Sequence, residues 1–151
     1  MYHTILIPVD GSECSLAAAR HGIDLAQTHD ADVHILNAIN LEAYSTYFDM
    51  SPRSVEKKTV MDDLKEMRKE ITHQAATLVE NSDIEITEVV KFGRPYKQIL
   101  KYVEENDIDV IVMGTTGKSN LKGMVLGSVS HSVSQAANVP VILIRDTPKS
   151  T

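Results

Sequence analysis

An α/β fold built on a parallel sheet is what this chain of 151 residues predicts, and three observations carry the prediction. Short apolar segments alternate with longer segments of helical spacing, the pattern of a sheet whose strands are joined by right-handed crossovers. Several of the apolar segments are nearly continuous runs, as strands covered on both faces require. A glycine-punctuated stretch follows one of these strands: Gly114-Thr115-Thr116-Gly117, nine residues, then Gly127-Ser128 at the start of a helix-like segment.

Five segments read as strands: Thr4 to Val9, Asp32 to Ala38, Ile84 to Val90, Asp109 to Met113 and Val141 to Ile144. The first, fourth and fifth are the continuous apolar runs. The third alternates Ile84 and Ile86 with Glu85 and Thr87, which predicts an edge strand with one wetter face. Helices fall between them. Ser12 is placed to cap a helix carrying Leu16, Ala19, Ile23 and Ala26. The longest helix puts Val60, Leu64, Met67, Ile71, Ala75 and Leu78 on one apolar stripe. Pro95 suits the first turn of a helix bearing Ile99, Leu100 and Val103. Val129, Val133 and Ala136 line the last helix. The segment from Asn40 to Arg53, with Tyr44, Tyr47, Phe48 and Pro52, is as long as lid loops are.

The length fits one domain able to bury a sizeable core. Net charge is 15 − 21 = −6, with no basic cluster, so a nucleic-acid partner is disfavoured. The lone Cys14 excludes an intrachain disulfide. The run Ile5 to Val9 is too short for a signal sequence, and no run reaches the roughly 18–20 apolar residues of a membrane span. The expectation is a cytoplasmic protein without membrane insertion.

Chemistry is expected where open α/β sheets bind ligands, beyond the carboxyl ends of the strands at the point where strand order reverses. Pro8-Val9-Asp10-Gly11-Ser12, Ala38-Ile39-Asn40 and the glycine loop meet there. Glycines let backbone N–H groups approach an anion without a Cβ in the way, and a helix starting at Ser128 adds free N–H groups and the positive end of its dipole. Two better-known phosphate motifs do not fit. Gly117-Lys118-Ser119 imitates the end of a Walker A loop, but that loop needs a glycine five residues before Gly117, where Val112 stands. A Rossmann Gly-x-Gly-x-x-Gly is absent.

The spacing Gly-x-x-Gly, nine residues, Gly-Ser resembles the nucleotide signature of the universal stress protein family. The resemblance runs the length of the chain, through Ile5-Leu6-Ile7-Pro8-Val9-Asp10-Gly11-Ser12, Gly93-Arg94-Pro95, Met113-Gly114 and Val139-Pro140-Val141. It implies a single doubly wound, Rossmann-like domain over residues 1–146 with a flexible tail at 147–151, and a five-stranded parallel sheet in the order 3-2-1-4-5. It implies binding of ATP, with AMP or ADP as alternatives and Mg²⁺ or Mn²⁺ accompanying the nucleotide. The implied site residues are Pro8, Val9, Asp10, Ala38, Met113, Gly114, Thr115, Gly117, Lys118, Gly127, Ser128 and Val129. Ala38 departs from the pattern, being small where the family often carries a larger aliphatic residue. The resemblance also implies a homodimer through Val141 to Ile144, an apolar edge that needs cover in any case.

Other constellations read more simply. His29-Asp30-Ala31-Asp32-Val33-His34 looks metal-binding but completes no tight ligand set, and reads as a helix end entering a strand. Ser128 and His131 lie one helical turn apart with no orienting carboxylate in sight. Cys14 reads as a small helix-face residue, and the mixed charges from Glu56 to Glu70 as a solvated face. Phosphoryl transfer needs a positioned metal, a water-orienting residue and charge stabilisation. The sequence offers Asp10 but no second carboxylate and no arginine in the loop, Arg94 being the nearest by motif. The expectation is a nucleotide-dependent regulatory stress-response module with a regulatory protein partner. A slow ATPase or phosphotransferase is the alternative.

Overall fold

The computed structural model describes residues 1–44, 54–79, 82–117 and 126–146. Lys118, the tail and the part of the long loop holding Tyr47, Phe48 and Pro52 lie outside the described residues. Elements alternate as β1 (Thr4–Pro8), α1 (Glu13–His29), β2 (Asp32–Ile39), α2 (Ser54–Ala76), β3 (Ile86–Phe92), α3 (Pro95–Glu105), β4 (Val110–Gly114), α4 (Ser128–Ala136) and β5 (Val141–Ile144). A one-turn 3-10 helix, Leu41–Tyr44, follows β2. All strand pairs are parallel, and the sheet runs β3-β2-β1-β4-β5. The order reverses between β1 and β4, and a cavity opens there.

The continuous apolar strands do what such runs require: they feed two cores. Ile5 and Ile7 of β1 point, with Val33, Ile35, Val110 and Val112, into a core closed by Ala18, Ala19, Ile23 and Ala26 of α1 and Ala75 of α2. Leu6, Leu36, Ile111 and Met113 point the other way, against Ile99, Tyr102 and Val103 of α3 and Val133 of α4. The alternation of side chains across a strand makes this division automatic.

Local signals place the ends. The Ser12 Oγ accepts from the Ser15 N–H at 3.1 Å and caps α1 as expected. Asp30, at φ 54°, ends α1 in the left-handed conformation, and β2 starts two residues later. The segment from His29 to His34 is thus a helix end and strand entry.

Three expectations are corrected. β3 begins two residues later than the alternation suggested and runs to Phe92, because β2 is long enough to pair as far as Ile39 with Phe92. Ile84 lies before the strand, its N–H donated to Ser82 Oγ. Met67 is 69% exposed rather than part of the buried stripe of α2. At about 100° per residue, Met67 falls some 60° to one side of Leu64, whereas Arg68 and Ala75 fall to the other. The helix settles with that second side inward, which buries Thr72 and Ala75 and turns Arg68 toward the sheet. In the same way Ala136 is exposed, and Ala137, just beyond α4, packs on the core instead.

Candidate functional site

The carboxyl ends of β1, β2 and β4 open into a cavity of about 430 Å³. Pro8, Val9 and Asp10 form its floor from β1. Leu36, Asn37 and Ala38 line it from β2, and Met113 and Gly114 from β4. Thr116, Gly117 and Gly127 to Ser130 wall one side, and Pro95 and Ile99 of α3 another. The segments that sequence reasoning brought together therefore share one space. Its volume lies within the range of small-molecule sites, roughly 300–1,000 Å³.

The glycine loop is held by its own backbone. Thr115 N–H donates to the Ile144 carbonyl at 3.0 Å, and the Thr115 carbonyl accepts from Gly127 N–H at 2.6 Å and from Ser130 Oγ at 2.7 Å. The two ends of the nine-residue gap are thereby pinned to each other and to the end of β5. Gly127 sits at the N-cap of α4, where it offers no capping side chain, and the first turn carries no acidic residue. The first N–H groups of a helix have no intrahelical partners, so this terminus presents donors and positive potential to the cavity.

Two glycines stand at close approaches. A Cβ on Gly117 would lie 2.5 Å from Asp10 Oδ2, and one on Gly114 would lie 2.8 Å from Cys14 Sγ and 3.0 Å from the Cys14 carbonyl carbon. Gly114 lets α1 press its first turn against β4. Gly117 lets the loop close over the Asp10 carboxylate. The other oxygen of that carboxylate, Oδ1, accepts from the Ser12 N–H at 2.9 Å, so Asp10 closes the turn into α1 while facing the loop. Asp10 thus closes the turn and lines the cavity at once.

Of the residues expected at the site, Pro8, Val9, Asp10, Ala38, Met113, Gly114, Gly117, Gly127, Ser128 and Val129 line the cavity. Thr115 does not: it is buried, with its Oγ1 3.8 Å from Cys14 Sγ, and its backbone holds the loop. Burial pushes the Cys14 thiol up, but hydrogen bonds from the Thr116 and Asp146 backbone and from the Thr115 and Thr116 hydroxyls outweigh it, and the thiol titrates below its ordinary value. Arg94 turns away from the cavity. Its Nη2 and Nε reach the same Glu42 Oε1 at 2.9 and 3.0 Å, an exposed pair tying the 3-10 turn to the start of α3. No hydrogen bond joins Ser128 to His131 among the described residues.

Sequence reasoning missed Asn37 and Arg68. Asn37 is 1% exposed, and its Nδ2 donates to the Val9 carbonyl at 2.7 Å, which fixes the floor, while its Oδ1 has no partner among the described residues. It hides inside an apolar strand as the neighbour of Ala38. Arg68 comes from α2, far along the chain from every motif, and is the one cation lining the cavity among the described residues, as Asp10 is the one carboxylate. Its signal was its spacing: it stands four residues from Leu64 and from Thr72, on the buried side of the helix.

Sheet order, a cleft at the point of strand reversal and a backbone-pinned glycine loop against a helix N-terminus define a doubly wound α/β protein with a cavity at its strand ends. The family model of the universal stress proteins matches residues 1–145, and the chain belongs to that family. It is 32% identical to a universal stress protein of Methanocaldococcus jannaschii over 99% of this chain and 85% of that one. It superposes on the solved structure of another protein of that organism, MJ0577, with a TM-score of 0.78, 26% identity and 99% coverage of both chains. More distant structures share the fold. One is a universal stress protein in complex with cAMP, 22% identical with a TM-score of 0.65 over 97% of this chain and 98% of that one. Another, from Archaeoglobus fulgidus, is in complex with dAMP, 21% identical with a TM-score of 0.64 over 95% and 98%. Among the described residues no helix is long and apolar enough to cross a membrane.

Proposed function

We propose that the cavity binds an adenine nucleotide, ATP foremost, and that the protein acts as a nucleotide-dependent regulatory module. The observation that carries this reading is the closure of the glycine loop over Asp10 at Gly117, beside an uncapped α4 N-terminus. Phosphate oxygens meet backbone N–H groups and a helix dipole there, and the base and sugar lie toward Val9 and Ala38. Complexes of cAMP and dAMP with members of the same fold support an adenine ligand. Ala38 is compatible with a base held by strand-end backbone groups, since such hydrogen bonds do not depend on the side chain.

A divalent cation fits as a companion of the nucleotide rather than as a resident ion. Mg²⁺ is commonly held by one or two carboxylates plus substrate phosphates, and Asp10 is a single carboxylate at the loop. No group of three or more His, Cys, Asp or Glu residues suited to a metal occurs among the described residues. Mg²⁺ or Mn²⁺ bound with the phosphates would neutralise charge beside Asp10.

The alternative, a slow ATPase or phosphotransferase, is favoured by one observation: Arg68 brings a cation to the cavity, one of the charge-stabilising groups that phosphoryl transfer needs. The reading as a regulator includes a homodimer through β5. Among the described residues that strand has a neighbour only on the β4 side, and its four apolar residues are each partly exposed. The occupied loop reaches this edge through Thr115 and Ile144.

Calorimetric titration with ATP, ADP and AMP, run beside single-turnover hydrolysis, tests the reading. Binding without turnover supports the regulator. Turnover abolished by Asp10→Ala moves the assignment to the alternative. A stable dimer that binds no nucleotide removes both.

A further inference from the structure

Arg68 occupies a position that an amphipathic helix ordinarily gives to an apolar side chain. It stands on the inward side of α2 with Leu64, Thr72 and Ala75, is partly buried, and reaches the cavity at the strand ends. Among the described residues no carboxylate lies within salt-bridge distance of it. The contact it makes is a long hydrogen bond, from Nη2 to Tyr44 Oη at 3.5 Å. A guanidinium drawn in from water without a counter-ion is costly, so buried arginines are normally paired. Asp10, the other ionisable residue lining the described cavity, is engaged at the turn, where its Oδ1 accepts from the Ser12 N–H.

We propose that the missing partner is the ligand, and that Arg68 is a ligand-contact residue that pairs with a phosphate oxygen of the bound nucleotide. This inference rests on the nucleotide reading above and adds to it the residue that makes an anionic ligand acceptable. Without Arg68, the one charged group lining the described cavity is a carboxylate, in a chain of net charge −6. That carboxylate opposes the attraction of the α4 N-terminus for a phosphate. The guanidinium offsets that charge and offers a planar fork matched to phosphate oxygens. The guanidinium enters the same cavity that Gly117, Gly127 and Ser128 line.

The test is titration of the wild-type chain, Arg68→Gln and Arg68→Lys with ATP, ADP, AMP and adenosine, at low and at moderate salt. The expected result is a loss of about tenfold or more in ATP affinity for Arg68→Gln. The loss shrinks as phosphates are removed and vanishes for adenosine. Arg68→Lys recovers most of it, and the salt dependence of ATP binding flattens in Arg68→Gln. If the glutamine variant does not fold, Arg68→Met, which keeps the buried stem, takes its place. A wild-type protein that binds ATP together with an Arg68→Gln variant that binds it equally overturns the assignment and leaves the nucleotide reading standing. So does an equal loss for adenosine, which means packing rather than charge. A folded wild-type chain that binds none of the four compounds overturns the nucleotide reading itself, and this inference with it.

Discussion

Asp10 and Gly117, 107 positions apart in the chain, meet so closely that a Cβ on the glycine would stand 2.5 Å from the Asp10 Oδ2. The contact joins the end of the first strand to the loop after the fourth across the point where strand order reverses. It is the tightest statement the structure makes about how the site closes.

That contact orders the effect of two loop substitutions. Gly117→Val forces the loop off the carboxylate and is expected to weaken nucleotide binding by at least about tenfold, while circular dichroism stays native. Gly127→Val is expected to be milder. Its φ of −72° suits any residue, and its added Cβ would meet the Thr115 carbonyl at 3.3 Å. Titration of ATP into both variants checks the order. Equal binding by Gly117→Val and the wild-type chain would mean that the loop does not hold the ligand.

Asp10→Asn separates charge from turn geometry. The amide oxygen still accepts from the Ser12 N–H, so stability should change by less than about 0.5 kcal/mol. The negative charge is lost, so dependence of ATP binding on Mg²⁺ or Mn²⁺ should weaken. Thermal melts and titrations with and without the metal decide. An unchanged metal dependence places the ion away from Asp10.

Ser12→Ala removes the cap of α1. The expected cost is about 1 kcal/mol, with a melting temperature lower by a few degrees. Because the same turn positions Asp10, a loss of affinity should accompany the loss of stability. A variant as stable as the wild-type chain would show that the Ser15 N–H finds an equivalent partner.

His34 gives the fold a pH dependence. Its Nδ1 shares a hydrogen bond with Tyr102 Oη at 2.6 Å, joining β2 to α3, and burial lowers its pKa below 6.5 despite Asp32 and Glu85. The unfolded chain then binds the proton more readily than the folded one. The stabilising contribution of neutral His34 is fully present above about pH 6.5, and it is lost as pH falls from there through the lower folded value. Denaturant melts of the wild-type chain and His34→Phe across that window should differ in slope, the variant being flatter. Parallel curves would assign the dependence to other groups.

Much of this was legible in the sequence, for physical reasons that differ by element. The strands of the sheet centre announce themselves because burial on both faces leaves no room for polar residues, as in Ile5 to Ile7 and Val110 to Val112. The glycine loop is legible because its spacing is itself the constraint on backbone approach. Arg68 was not, since its place depends on how α2 rotates about its own axis. One stripe of Val60, Leu64, Met67 and Ile71 looked sufficient, yet packing chose the side with Arg68 and Thr72. Arg94 looked near the site by motif, but Glu42, on a turn that no periodicity marks, holds it outside. Asn37 escaped because a polar residue within a strand registers only when the floor it ties down is seen.

Calorimetric titration of ligand-stripped protein with ATP tests the central claim most directly. Saturable binding of one ATP per chain is expected, with its loss in a Gly117→Val variant of native circular dichroism. A folded wild-type chain that takes up no ATP, ADP or AMP would contradict it.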